Sequence, residues 1–177
     1  MEALFFLINA VVSFFTTLFL LRFLMQLMRV SFAGQIGDFV VKLTNWAVKP
    51  LRRIIPGLGG IDWASLLAAL ALQLLLAGII VGLSGAPFAG DALGSGLMIL
   101  ILALRGLARL AVYIMMGAVI LQAVLSWINP YSPVAPLAHQ LTRPLLAPIR
   151  RLVPTISGID LSPLVAILLL QVLLMFL

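Results

Sequence analysis

Four long apolar runs, separated by polar segments rich in proline and arginine, set the pattern of this chain. The first covers residues 3–21 and extends to 28 if Arg22 carries its charge to the membrane surface along its aliphatic stem. The second, 63–83, is uncharged, and the fourth, 161–177, is apolar to its last residue. A hydrocarbon core takes about 20 helical residues, so each is read as a membrane span, the fourth a short one. The third run, 97–127, is interrupted by Arg105 and Arg109. Its first part is too short to cross alone. The span is therefore placed at 105–127, with both arginines on one helical face in or near its first turns. At that position they bind phosphates or Asp91 at the interface; a span at 97–117 would instead bury them. Residues 92–104 lie in the interface or extend the helix.

The segments between the spans have their own periodicity. In 35–49, Ile36, Phe39, Val40, Leu43 and Ala47 recur at helical spacing, with Asp38, Lys42, Asn45 and Lys49 on the other side. This predicts an amphipathic helix lying on a leaflet. Val134, Leu137, Leu141 and Leu145 form a similar stripe, interrupted by Pro136 and Pro144. Turns bracketed by Pro50 and Pro56, and by Pro148 and Pro154, come next, and their prolines are expected to keep them out of a continuous helix. Asp62 and Asp160 then stand immediately before apolar helices, where N-caps belong.

The chain repeats itself. Residues 43–73 align without a gap to 141–171, pairing Leu43-Thr44 with Leu141-Thr142, Pro50 with Pro148, and Arg52-Arg53 with Arg150-Arg151. Pro56 pairs with Pro154, Gly60-Ile61-Asp62 with Gly158-Ile159-Asp160, and Gln73 with Gln171. Leucine richness alone does not produce a colinear set of prolines, arginines, glycine and aspartate. The first spans align with Arg22 opposite Gln122 and Asn9 opposite Arg109. The fold expected is an all-α membrane protein of two parallel span–linker–span repeats, 1–83 and 97–177, joined by a connection at 84–96. Two spans per unit give both units the same sense, with a pseudo-symmetry axis along the membrane normal.

Composition agrees with four spans and narrows the function. Hydrophobic residues make up 64% of the 177 and charged residues 9%, against roughly 45–50% and about 25% in soluble domains. Mean hydropathy is +1.26. A soluble enzyme and a disordered tail are excluded, and the absence of cysteine excludes a disulfide scaffold. The net charge of +6 suggests nucleic acid until the basic residues are located. Most flank the apolar runs, where topology places them, so no nucleic-acid partner is expected. The 29–62 and 128–160 loops carry the basic excess, whereas 84–96 has none and holds Asp91. The linkers are therefore expected in the cytoplasm, with both termini outside the inner membrane. The N-terminus lacks a basic n-region and reads as a retained span, not a signal peptide.

Two copies of a Leu-Thr…Pro-x-Arg-Arg-x-x-Pro…Gly-Ile-Asp pattern, each between apolar helices, resemble the YggT (YlmG) family of small integral membrane proteins. The second copy is fuller, with Trp127, Asn129-Pro130, Pro144 and Ser162-Pro163. The first has Trp46 in place of Pro144 and Ala64 in place of Ser162. The resemblance implies a bacterial inner-membrane protein associated with osmotic or ionic stress and cell-division gene neighbourhoods. For plastid relatives it implies nucleoid distribution and cofactor attachment to a cytochrome. It brings no agreed reaction.

Candidate residues divide by chemistry. With no cysteine and His139 the only histidine, neither a Cys/His zinc site nor bis-histidine haem can be built within one chain, and no nucleophile motif accompanies His139. No enzyme activity, metal or cofactor is expected. Arg52, Arg53, Arg150 and Arg151, with Lys49 and Arg143, are topological determinants that bond Asp62 and Asp160, or sites for anionic lipid head groups, or both. Gln73 and Gln171, near mid-span, must face protein and are expected to approach one another near the pseudo-axis. Asn9, Ser13 and Thr16 form a further polar stripe, and Gly78 and Gly82 a GxxxG contact within the bundle or between protomers. The function expected is a non-catalytic scaffold or assembly factor in envelope organisation and osmotic or ion homeostasis. It would bind lipid or an unidentified membrane protein, and could form homo-oligomers. The alternatives are a small oligomeric ion channel or transporter, and a cytochrome-complex assembly factor.

Overall fold

The computed structural model describes residues 2–55, 57, 60–83, 92–153 and 160–177. All regular structure among them is helical: α1 (Glu2–Leu27), α2 (Gln35–Ile54), α3 (Trp63–Leu83), α4 (Ala92–Ile128), α5 (Ala135–Leu152) and α6 (Ser162–Phe176). Thus the order of long apolar helix, amphipathic helix and apolar helix occurs twice. Glu2–Leu27, Trp63–Leu83 and Leu93–Ile128 are long and apolar enough to cross a membrane, and α6 is a shorter apolar helix.

Small residues let the helices close. Ala64, Ala68 and Ala69 of α3 pack with Phe19 and Leu20 of α1 and Val48 of α2, and Leu107, Leu110, Ala111 and Ile114 of α4 lie against them. Buried alanines bring backbones near enough for continuous dispersion contact, the main attraction between helices in lipid. A second cluster joins Leu24, Met25 and Val30 to Ala118 and Leu141, and a third joins Val119, Leu146, Ile149 and Ala166. Helix α4 touches α1, α3, α5 and α6 and is the common partner of the two halves. Gly78 and Gly82 meet nothing within 4 Å of a built Cβ, so neither makes a close contact inside the bundle.

Three expectations change. The 92–104 piece is part of α4, one continuous helix of 37 residues, so the expected 84–96 connection loses its last residues to that helix. Asp91, with 84–90, lies outside the described residues, as do Pro56, Pro154 and the Gly158-Ile159 pair. The prolines do not end the linker helices: α2 runs through Pro50, and α5 through Pro144 and Pro148. All three are on exposed faces, where a carbonyl freed by the missing N–H can meet water while the opposite face keeps its packing.

The third change concerns which face of α2 is buried. Gly37, Val40, Thr44 and Val48 face the bundle, while Phe39 and Trp46 are exposed. Lys42, Lys49 and Arg53 are exposed on the same outward side. One face thus meets protein, and the outward side mixes aromatic side chains, Trp46 reaching the Phe15 and Phe19 rings, with charge. Gly37 is required here, because a Cβ would lie 2.2 Å from the Phe32 carbonyl oxygen where the chain doubles back from α1.

Candidate functional site

Asp62 is the centre of the first polar cluster. It precedes α3 and caps it: Oδ1 accepts from the Ser65 N–H at 3.3 Å and Oδ2 from the Ser65 hydroxyl at 2.6 Å. Arg52, near the end of α2, donates through Nη2 to Oδ2 at 2.7 Å and through Nε to Oδ1 at 3.3 Å, a bidentate fork. Arg22 of α1 brings its Nε within 3.5 Å of Oδ2. Burial of this carboxylate, 1% exposed, would raise its pKa, but the bonds from Arg52 and Ser65 outweigh burial and hold it below the ordinary value.

Arg22 does not reach the surface. It is buried, with Nη1 donating to Thr44 Oγ1 at 2.6 Å and Asn45 Oδ1 at 3.0 Å, and Thr44 in turn donates to the Val40 carbonyl at 2.6 Å. The linker helix thus comes to the charge, so that Arg22 ties α1, α2 and the start of α3 together. Gln26 extends the cluster, accepting from Arg52 at 3.1 Å and donating to the Gly60 carbonyl at 3.3 Å. Arg22, Thr44, Gln26 and Ser65 are partners that sequence reasoning missed as a set. The available signal was Arg22 inside an apolar run, upstream of a threonine shared by both repeats.

The second half repeats this plan with one charge fewer. Thr142 bonds Gln122, the counterpart of Arg22, and contacts the Ala138 carbonyl at 2.8 Å. Arg150 Nε donates to Asp160 Oδ2 at 2.9 Å, and Asp160 Oδ1 accepts from the Ser162 N–H at 2.9 Å. Asp160 stands one residue before the N-cap position of α6 and is 35% exposed. Burial would raise its pKa too, but Ser162 and Arg150 hold it below the ordinary value. Where a guanidinium fills the first half, the second is hollow. Gln122, Ser126 and Arg150 line both a cavity of about 440 Å³ shared with Asp160, Leu164, Ile167 and Gln171, and one of about 640 Å³ shared with Tyr131 and His139.

Each Arg-Arg pair is therefore divided. Arg52 and Arg150 hold carboxylates, whereas Arg53 and Arg151 are exposed and make no ion pair with a described residue. Lys49 and Arg143 are likewise exposed, and Arg143 lines a cleft of about 510 Å³ with Arg29, Leu27, Pro144 and Ala147.

The remaining polar positions separate. Gln73 is buried against Gly106 of α4, and with Arg105 and Arg109 it lines a groove of about 340 Å³. Gln171 is exposed and lines the cavity beside Asp160, so the two glutamines lie in different cavities and do not meet. Ser13 donates to Asn9 and Thr16 to the Val12 carbonyl, so this stripe is satisfied within its own helix. Among the described residues, no three His, Asp or Glu side chains converge as metal ligands.

The family model described as CCB3/YggT matches residues 1–83 and 101–177. An uncharacterized protein YggT of Escherichia coli is 39% identical over 97% of this chain and 87% of its own length. A Vibrio alginolyticus protein, named for its place in the proC 3' region, is 38% identical over 93% and 88%. An uncharacterized Pseudomonas aeruginosa protein is 37% identical over 90% and 80%. No solved structure matches the chain.

Proposed function

The chain belongs to the CCB3/YggT family, and from that premise we propose a non-catalytic inner-membrane scaffold that holds anionic lipid through its linker helices and so contributes to envelope organisation and ion homeostasis. In this reading α1, α3, α4 and α6 all cross the bilayer, the two halves point the same way, and α2 and α5 lie at the cytoplasmic boundary. One observation carries the proposal: each linker helix uses the first arginine of its pair to fix itself to a carboxylate and leaves the second exposed. A residue needed only to set topology does not need its neighbour to lock its orientation. Arg53 and Arg151, supported by Lys49 and Arg143, present guanidinium forks and an ammonium at the level of lipid phosphates, where each basic residue is worth about 1 kcal/mol.

Thermal unfolding of the purified full chain in detergent, with added phosphatidylglycerol or phosphatidylcholine, tests this. Binding to the folded state raises the midpoint by mass action. Phosphatidylglycerol should protect more than phosphatidylcholine, and R53Q/R151Q should lose the difference while unfolding normally without lipid. Equal protection of the variant would reject the lipid-holding role. Potassium flux from loaded vesicles containing the pure protein would place it among channels instead.

A further inference from the structure

We propose that the groove between α3, α4 and the end of α6, lined by Gln73, Arg105 and Arg109, is an intramembrane phosphate site that draws in the head group of one anionic phospholipid. Three observations place these arginines below the membrane surface, given that α3 and α4 cross it. First, Gln73 is the eleventh of the 21 residues of α3, about 15 Å from either end at 1.5 Å per residue. Its amide abuts Gly106, where a Cβ would lie 2.5 Å from Oε1, so the residues flanking Gly106 share the depth of the middle of α3. Second, Leu177 lines the same groove. It lies about 22 Å along the helix from Ser162, short of a core of about 30 Å. Third, Leu93, Leu97, Met98, Leu100, Ile101 and Leu104 are exposed on α4 toward its N-terminus from Arg105, and these side chains themselves require hydrocarbon.

A guanidinium at this depth is costly without a partner. Arg105 and Arg109 are exposed on the bundle surface and make no ion pair with a described residue. They sit one turn apart on one face, so two forks and the Gln73 amide converge on one groove. A carboxylate offers two oxygens on one edge, whereas a lipid phosphodiester spreads its charge over two non-bridging oxygens on a tetrahedral centre, which can meet donors from different directions. The other walls are Leu76, Ala77, Ile80 and Leu102, which suit an acyl chain and give a free, fully hydrated phosphate little to hold.

Native mass spectrometry of the full chain released from detergent tests the site by counting retained lipids. The wild type should keep one phosphatidylglycerol under activation that strips the rest, and phosphatidylcholine should not replace it. R105Q/R109Q should reduce that retained lipid at least tenfold, and R105K/R109K should keep part of it. R53Q/R151Q should leave it intact, which separates this site from the linker sites proposed above. Retention in R105Q/R109Q equal to wild type would overturn the proposal, as would equal retention of phosphatidylcholine. Displacement of the lipid by millimolar inorganic phosphate, with the phosphate itself retained, would overturn the lipid as occupant. Removing two unpaired charges from an apolar helix favours folding, so loss of binding in that variant is not explained by a misfolded chain.

Discussion

Asp62 and Asp160 hold matching places in the two halves and carry unequal loads. Asp62 is sealed among Arg52, Arg22 and Ser65, so Asp62→Asn leaves two guanidinium groups, one of them buried, without their carboxylate. Breaking a buried pair in this way costs about 3–5 kcal/mol. Asp160→Asn removes a pair exposed on both sides and should cost about 1 kcal/mol or less. Thermal unfolding of both variants in detergent checks the ratio, and equal losses would show that burial does not set it. The same residues fix the acid response. Both carboxyls are held below their ordinary values in the fold, so their stabilisation is complete above the unfolded pKa of about 4 and is lost as pH falls through the lower, folded pKa. The unfolding midpoint should therefore be flat from neutrality to about pH 5 and drop below about pH 4. Asp62→Asn should remove most of that drop. The Arg-to-Asp contacts were legible in the sequence, since both halves repeat an Arg-Arg pair and an aspartate at the same spacing. Arg22 was not. In an apolar run a lone arginine has an inexpensive solution, snorkelling, and nothing in local spacing reveals that Thr44 and Asn45 will be brought to it instead.

At the scale of the element, periodicity identified the linkers as amphipathic and misjudged how they continue. A proline inside a helix removes a hydrogen bond and crowds the preceding turn, which makes a break the natural expectation. In α2 and α5 the ring lies on the side away from the bundle, and the burial of Val40, Thr44 and Val48, or of Leu141, Leu146 and Ile149, keeps the helix going past it. Tertiary packing overrides propensity here, and packing partners are what a single sequence does not print. The consequence is testable. If Pro50 interrupted α2, replacing it would disturb a needed turn. Because α2 runs through it to Ile54, Pro50→Ala should stabilise the chain, by up to about 3 kcal/mol, the interior proline penalty. A lower unfolding midpoint for this variant would show that the proline sets a bend on which the Arg52–Asp62 contact depends.

For the whole molecule, the sequence showed the helical class and the repeated plan, while the depth of each helix depended on contacts. The apolar run containing Arg105 and Arg109 admits two placements by length alone, and α4 resolves as one helix of 37 residues, longer than any bilayer core requires. Only its neighbours mark where along it α3 and α6 lie. The proposed parallel sense of the two halves follows from parity: if α3 and α4 both cross, the linkers before α3 and after α4 end on the same side. The chain contains no cysteine, so single introduced thiols report position without background. In sealed right-side-out vesicles, Arg53→Cys and Arg151→Cys should both resist an impermeant maleimide and both react once the membrane is opened. Leu83→Cys, exposed at the far end of α3, should react from outside before opening. Both linker thiols reacting from outside would invert the protein while keeping the halves parallel. Reaction of one linker thiol from each side would require an odd number of crossings between them and would refute the parallel arrangement outright, because α3 and α4 then could not both span.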